Sequence, residues 1–299
     1  MSMIGKRNRI WRATVLFFLA FIYFYPNQLL AQSRKPDHGD VVYATVNGKS
    51  LGLDIYLPES VEMPPLLVWV HGGAWRLGSK EQVPSVFVEN GFATASLDYR
   101  LSTEARFPAQ VHDIKAAIRF LRAEGPKYGF RTDRIAIAGA SAGAHLAALV
   151  GITNGHPVLE GNVGGYQNES SDVQAIISFY GASNLTSILR QSTPWGLQVR
   201  QPALDLLLGA QPEDVIDLAK LASPVFHVDV SDPPLLLLHG DQDPQMPINQ
   251  SHELEGAYQQ LGLDVFFDVV HGGRHGGDEF YSGDHLARVL SFLNRVIRH

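Results

Sequence analysis

Cysteine is absent from all 299 residues. That excludes disulfides, thiolate zinc sites, iron–sulfur clusters, a cysteine nucleophile and a lipid-modified N-terminal cysteine. Basic residues are in deficit, 24 Lys and Arg against 30 Asp and Glu, a formal charge of −6. A chain of that sign has no electrostatic reason to seek phosphate backbones, so no nucleic-acid partner is expected. Twelve histidines are present, but no H-E-x-x-H or comparable ligand spacing occurs, and neither a metal nor another cofactor is expected. What remains is 45% hydrophobic and 18% charged, a composition that can bury a large globular core.

The one extended apolar run lies near the N-terminus. Lys6, Arg7, Arg9 and Arg12 precede it, and no acidic residue occurs before Asp37. Residues 13–25 (ATVLFFLAFIYFY) then form 13 apolar positions, short of the roughly 20 a bilayer-spanning helix needs but suited to a signal h-region. Pro26 breaks the run, and Leu29 and Ala31 occupy the minus-three and minus-one positions of a cleavage before Gln32. The expectation is a signal peptide over residues 1–31 and an exported protein, periplasmic or extracellular, with no membrane attachment after cleavage; an uncleaved anchor is the alternative. Cleavage leaves 20 basic against 30 acidic residues, a formal charge of −10.

Residues 41–46 and 51–57 are β-rich and flank Asn47-Gly48, the dipeptide that best supplies the positive φ angles of a tight hairpin. Further apolar runs at 66–70, 92–97, 134–138, 174–179, 235–239 and 265–270 read as strands. Helical spacing connects them: Val111, Ile114, Ala117, Ile118 and Leu121 lie on one stripe of 108–124, and 251–262 and 284–297 behave similarly. The expected fold is α/β, with a mostly parallel doubly wound sheet, an N-terminal antiparallel hairpin and a small helical cap segment. Right-handed crossovers place the strand C-termini on one rim, where chemistry collects. One catalytic domain is expected over residues 32–299. Residues 153–172 are Gly-rich and polar and resist assignment, while 182–234 contain short helical patterns where a cap could sit.

Residues 134–138 run into Gly139-Ala140-Ser141-Ala142-Gly143 and then an apolar helix starting near His145. This is strand, G-x-S-x-G and helix, the context of a nucleophile elbow. The turn is tight, so the serine's neighbours must lack bulk, and all four are Gly or Ala. Upstream, 66–70 end in His71-Gly72-Gly73-Ala74-Trp75, the place of an HGGG-type loop in hydrolases of this topology. Acyl transfer needs backbone N–H groups converging on the tetrahedral oxygen. Gly73, Ala74 and Ala142 are the expected oxyanion-hole donors, with His71 ordering the loop.

Downstream, 235–239 lead into Gly240-Asp241-Gln242-Asp243, and 265–270 lead into His271-Gly272-Gly273-Arg274-His275. The order Ser, Asp, His is that of α/β-hydrolases, each member just past a strand end. A serine hydroxyl needs an imidazole to take its proton, and the imidazole needs a carboxylate to hold its tautomer. Ser141 is the nucleophile, His275 the base with His271 its rival, and Asp243 the acid with Asp241 its rival. His145 reads as a hydrogen-bonded packing residue.

With these motifs in hand, the chain resembles the bifunctional feruloyl and acetyl-xylan esterases, the BD-FAE-like family related to hormone-sensitive-lipase-type serine esterases. The likeness runs through Leu53-Asp-Ile-Tyr-Leu-Pro, Val68-Trp-Val-His-Gly-Gly-Ala-Trp-Arg, Phe107-Pro-Ala-Gln-Val-His-Asp, Gly139-Ala-Ser-Ala-Gly-Ala-His, Ala222-Ser-Pro, His239-Gly-Asp-Gln-Asp-Pro-Gln-Met-Pro and Gly272-Gly-Arg-His-Gly. The family's D-x-x-V-P segment maps onto Asp243 to Pro247, with Met246 in place of Val, which favours Asp243 as the acid; the likeness also supports His275. Ala144, Arg274 and Asn184 depart from the pattern. The resemblance implies a serine carboxylic-ester hydrolase acting on small or short-chain esters, feruloyl or acetyl esters of polysaccharides among them. An arylformamidase-like amidase or a peptidase of the same fold is the nearest rival, and a non-catalytic binding protein on a hydrolase scaffold the next.

Overall fold

The computed structural model describes residues 34–298; the expected signal segment lies outside the described residues. The chain enters through strands β1 (His38–Val46) and β2 (Lys49–Tyr56). They pair antiparallel across Asn47 and Gly48, both at positive φ, as the hairpin dipeptide requires. β3 (Pro65–Val70), a one-turn helix α1 (Val86–Glu89), β4 (Ala93–Leu97) and α2 (Ala109–Glu124) follow. The central pair is β5 (Arg131–Ala140) and α3 (Ala142–Ile152), then β6 (Ala175–Phe179). Three helices, α4 (Ile188–Gln191), α5 (Pro194–Leu208) and α6 (Ile216–Leu221), occupy the expected cap segment. β7 (Leu235–Gly240), α7 (Asn249–Gln260), β8 (Val265–Val270) and α8 (Gly283–Ile297) complete the order.

The eight strands form one sheet in the order β1-β2-β4-β3-β5-β6-β7-β8. β2 runs antiparallel to both of its neighbours, and β4 through β8 are mutually parallel. This is the α/β-hydrolase arrangement expected from the sequence.

Strands β3, β4, β6 and β7 and residues 135–139 of β5 are buried on both faces, which is why they carry continuous apolar runs rather than alternation. Within β3, Leu66, Val68 and Val70 join the core beneath α2 and α3, while Leu67 and Trp69 join the opposite core beneath α1 and α8. β5 divides likewise, with Ile135 and Ile137 on the first face and Ala136 and Ala138 on the second. The parallel strands direct the ends of β3, β5, β7 and β8 to one rim. No helix of the described residues is long and apolar enough to cross a membrane.

Residues 153–172 carry no helix or strand and are fastened to α2 by side chains. Lys115 Nζ donates to Thr153 O at 2.7 Å and Glu160 Oε2 at 2.9 Å, and Arg119 donates to Glu160 Oε1 at 2.7 Å and Val163 O at 3.0 Å. Both cations are buried. One carboxylate therefore compensates two desolvated charges beneath the segment.

Candidate active site

Ser141 stands between β5 and α3 with φ 56° and ψ −117°, a left-handed conformation that costs a non-glycine residue on the order of 1–3 kcal/mol. The surrounding backbone over-determines it. Ser141 N donates to Phe179 O at 2.9 Å, and His145 N donates to Ser141 O at 3.1 Å. At Gly143 a Cβ would lie 2.1 Å from Val70 O and 2.4 Å from His71 O. The helix can approach β3 this closely only without a side chain there.

The same closeness brings the loop after β3 alongside the serine. A Cβ at Gly72 would sit 3.5 Å from Ser141 Cβ, so the loop meets the elbow at the residue just before Gly73 and Ala74. Gly73, Ala74 and Trp75 all have positive φ, and the turn closes through Arg76 N and Leu77 N on Gly73 O. Trp75 is buried, and its indole N–H donates to His145 Nδ1 at 3.0 Å, while His145 Nε2 lies 2.7 Å from Ala222 O. Nε2 therefore carries the hydrogen and Nδ1 accepts. Burial lowers the titration of His145 to about 4, and the packing role expected for it holds. His71, stacked on Tyr99 at 4.4 Å, is lowered by burial as well; its Nδ1 lies 2.7 Å from Gly72 O, whose carbonyl it can hold.

The base and the acid meet Ser141 from two other strand ends. His275 Nε2 is 2.9 Å from Ser141 Oγ, and its Nδ1 is 2.6 Å from Asp243 Oδ2. Asp243 is completely buried. Its Oδ1 accepts from Gln245 N and Met246 N, both at 2.8 Å. Burial pushes its titration upward, but the His275 charge and the hydrogen bonds from His239 and His275 outweigh that and hold the carboxyl well below the usual range. Gly240 makes room for the base: a Cβ there would strike Gly273 O at 2.2 Å.

The rivals lie elsewhere. Asp241 and His271 pair with each other at 3.0 Å, His271 being 86% exposed. The structure thus brings together Ser141, Asp243 and His275 and leaves Asp241 and His271 on the surface. Ala142 follows the serine directly, and Gly73 and Ala74 follow Gly72 in the loop that approaches it. Among the described residues no hydrogen bond from the N–H of Gly73 or Ala74 occurs, leaving both as donors for a ligand. No group of three His, Asp or Glu side chains able to hold a metal occurs among the described residues.

Three contributors escaped the sequence reading. His239 packs against Asp243 from beneath, its Nε2 3.4 Å from Oδ2; the side chain reads from sequence as the polar end of an apolar strand. Tyr180 holds φ 45° just after β6 and packs its ring 4.9 Å from that of His275, edge to face. Its conformation has no sequence signature, because nothing about a tyrosine announces positive φ. Arg200 of α5 is 3% exposed, feels the Asp243 charge, and has no hydrogen-bond partner for Nε or Nη2 among the described residues.

As chemistry, the arrangement places an imidazole to accept a hydroxyl proton and a buried carboxylate to orient it. Comparison with known proteins agrees with that reading. The BD-FAE family model matches residues 53–258. Esterase LipQ of Mycobacterium tuberculosis (strain ATCC 25618 / H37Rv) is 34% identical over 203 residues, covering 66% of this chain and 46% of that protein. The chain spans about half the length of the curated relatives it matches. Among solved structures, a truncated form of a carbohydrate esterase from gut microbiota superposes with a TM-score of 0.79 at 31% identity, covering 86% of this chain and 95% of the other. A bifunctional GH43-CE protein of Bacteroides eggerthii superposes with a TM-score of 0.77 at 35% identity, over 86% of this chain and 35% of the other.

Proposed function

This chain belongs to the BD-FAE family, and we propose that it is an exported serine carboxylic-ester hydrolase in which Ser141, His275 and Asp243 form the catalytic triad. The observation that carries the proposal is the unbroken chain of contacts from Ser141 Oγ through both His275 nitrogens to the buried Asp243.

His275 Nε2 takes the Ser141 proton as Oγ adds to the ester carbonyl carbon, and the carbonyl π pair moves to oxygen. The resulting oxyanion is held by the N–H groups of Gly73, Ala74 and Ala142. Collapse expels the alcohol, which receives the proton from His275, and leaves an acyl group on Ser141. Water then adds with His275 again as base, a second tetrahedral species collapses, and the acid leaves with Ser141 restored. Asp243, ionised throughout, keeps hydrogen on His275 Nδ1 and stabilises the imidazolium.

For substrate we propose acetyl or feruloyl esters of polysaccharides. The reading is supported by the likeness to a protein described as a carbohydrate esterase and by the signal segment read in the sequence. The test is hydrolysis of p-nitrophenyl acetate, butyrate and octanoate, methyl ferulate and acetylated xylan by the purified protein, beside Ser141→Ala. Ser141-dependent release of acetate or ferulate is expected. Ser141-dependent turnover of octanoate alone would overturn the substrate proposal, and no Ser141-dependent turnover of any ester would overturn the activity.

A further inference from the structure

His239 is the last residue but one of β7 and is completely buried. Its Nε2 faces two acceptors, Met246 O at 3.0 Å and Asp243 Oδ2 at 3.4 Å. An atom between a carbonyl and a carboxylate must carry hydrogen, so Nε2–H is shared between them. Its Nδ1 lies 2.8 Å from Ser251 Oγ on α7, a contact that fixes the plane of the ring from its other side. The imidazole is therefore held at both nitrogens and spans from α7 to the turn that carries the acid.

A carboxylate offers about four lone-pair sites. In Asp243, Oδ1 accepts from the N–H groups of Gln245 and Met246, Oδ2 pairs with His275, and His239 Nε2 stands 3.4 Å from Oδ2 as the fourth neighbour. Three of those donors belong to its own turn or to the base. His239 is the one side chain that ties the carboxylate to the sheet beneath, and by holding Met246 O it also closes the turn whose N–H groups grip Oδ1. The charged groups around this carboxylate are His275 from the loop after β8 and Arg200 from α5, and only His239 reaches it from β7.

The geometry points to His239 as a positioning residue that sets the rotation of the Asp243 carboxylate, and through it the ring of His275. This rests on the assignment of the triad proposed above. A carboxylate free to rotate would leave His275 Nδ1 without a fixed acceptor, and displacement of a base by about 1 Å can cost on the order of 100-fold in rate. His239 is buried against Met246, Ser251 and Asp243 and makes no hydrogen bond to Ser141 among the described residues, so kcat should depend on it more than substrate affinity does.

The test compares His239→Phe, which keeps a flat ring and removes both nitrogens, with His239→Gln, whose amide can return a donor near the position of Nε2. His239→Phe should lower kcat by about 10- to 100-fold with KM changed less than about threefold, and His239→Gln should recover most of the loss. A readout that needs no substrate is the far-downfield proton resonance of the His275 Nδ1–H to Asp243 hydrogen bond, which should move or broaden in His239→Phe and return in His239→Gln. If His239→Phe does not fold, Ser251→Ala, which frees the ring plane, should still lower kcat several-fold at constant KM. A kcat within threefold of the parent and an unmoved resonance, in His239→Phe or failing that in Ser251→Ala, would overturn the proposal. Should the parent itself lack Ser141-dependent turnover, the esterase reading fails, and the resonance alone still decides the role of His239.

Discussion

The indole of Trp75 donates to His145 Nδ1 at 3.0 Å, joining the loop after β3 to the helix that begins at Ser141. Two backbone segments that converge on one oxygen in the proposed mechanism are thereby fixed to each other by a buried side-chain bond. The bond also explains why His145 can sit on an apolar helix without penalty, since Ala222 O accepts from its other nitrogen.

Trp75→Phe retains most of the ring and deletes the donor. A buried acceptor left without a partner costs about 1–3 kcal/mol, so urea unfolding should show a loss in that range. The loop bearing Gly73 and Ala74 should also loosen, lowering kcat by roughly 10-fold. Unchanged stability and rate together would contradict the link.

Asp243 and Asp241 stand two positions apart and should behave oppositely. Asp243→Asn should lower kcat on p-nitrophenyl acetate by on the order of 10⁴-fold, because an amide cannot hold the required tautomer of His275. Asp241→Asn, which removes only a surface contact with His271, should stay within about threefold. Steady-state rates of the two variants distinguish them directly, and the reverse order would reassign the acid.

Acid should weaken the fold through its buried histidines. Burial lowers the titration of His71, His145 and His227, so between about pH 6.5 and 4 the unfolded chain binds protons that the folded one refuses. Their contribution to stability is complete above pH 6.5 and is lost as the pH drops through that window, opposed by the Asp232 carboxyl, which burial pushes up to about 7. His145 alone, lowered to about 4, accounts for about 2 kcal/mol by pH 5. Urea midpoints at pH 7.5 and 5.0 should show His145→Gln losing less on acidification than the parent; equal losses would contradict this account.

Glu160 is the sole carboxylate paired with Lys115 and Arg119 among the described residues. Glu160→Gln should destabilise by about 3 kcal/mol, the usual scale for stranding buried charge. Denaturant unfolding measures it, and a loss under about 1 kcal/mol would mean that water reaches the cations.

What the sequence discloses follows from where physics leaves little choice. Strands buried on both faces must be continuously apolar, so β3 to β7 could be read within a few residues, and β1 and β2 were legible from Asn47-Gly48 between them. The elbow was legible because Gly139 and Gly143 touch other backbone atoms at distances no side chain survives, and Asp243 and His275 because parallel strands deliver their ends to one rim. Lys115 and Arg119 look from periodicity like the solvent face of α2. They are buried because residues 153–172, which have no pattern of their own, return to cover them. Tyr180 and His239 were illegible for a related reason: their roles depend on partners distant in sequence, and a buried polar side chain in an apolar strand looks the same whether it serves packing or the site.

The central claim is that Ser141 is a nucleophile activated by His275, and stoichiometric labelling with an organophosphonate measures that most directly. Intact-mass spectrometry of the purified protein should show one adduct per chain, mapped by peptide analysis to Ser141, absent in Ser141→Ala and slowed on the order of 10³-fold or more in His275→Ala. Labelling at another residue, or at the same rate without His275, would contradict it.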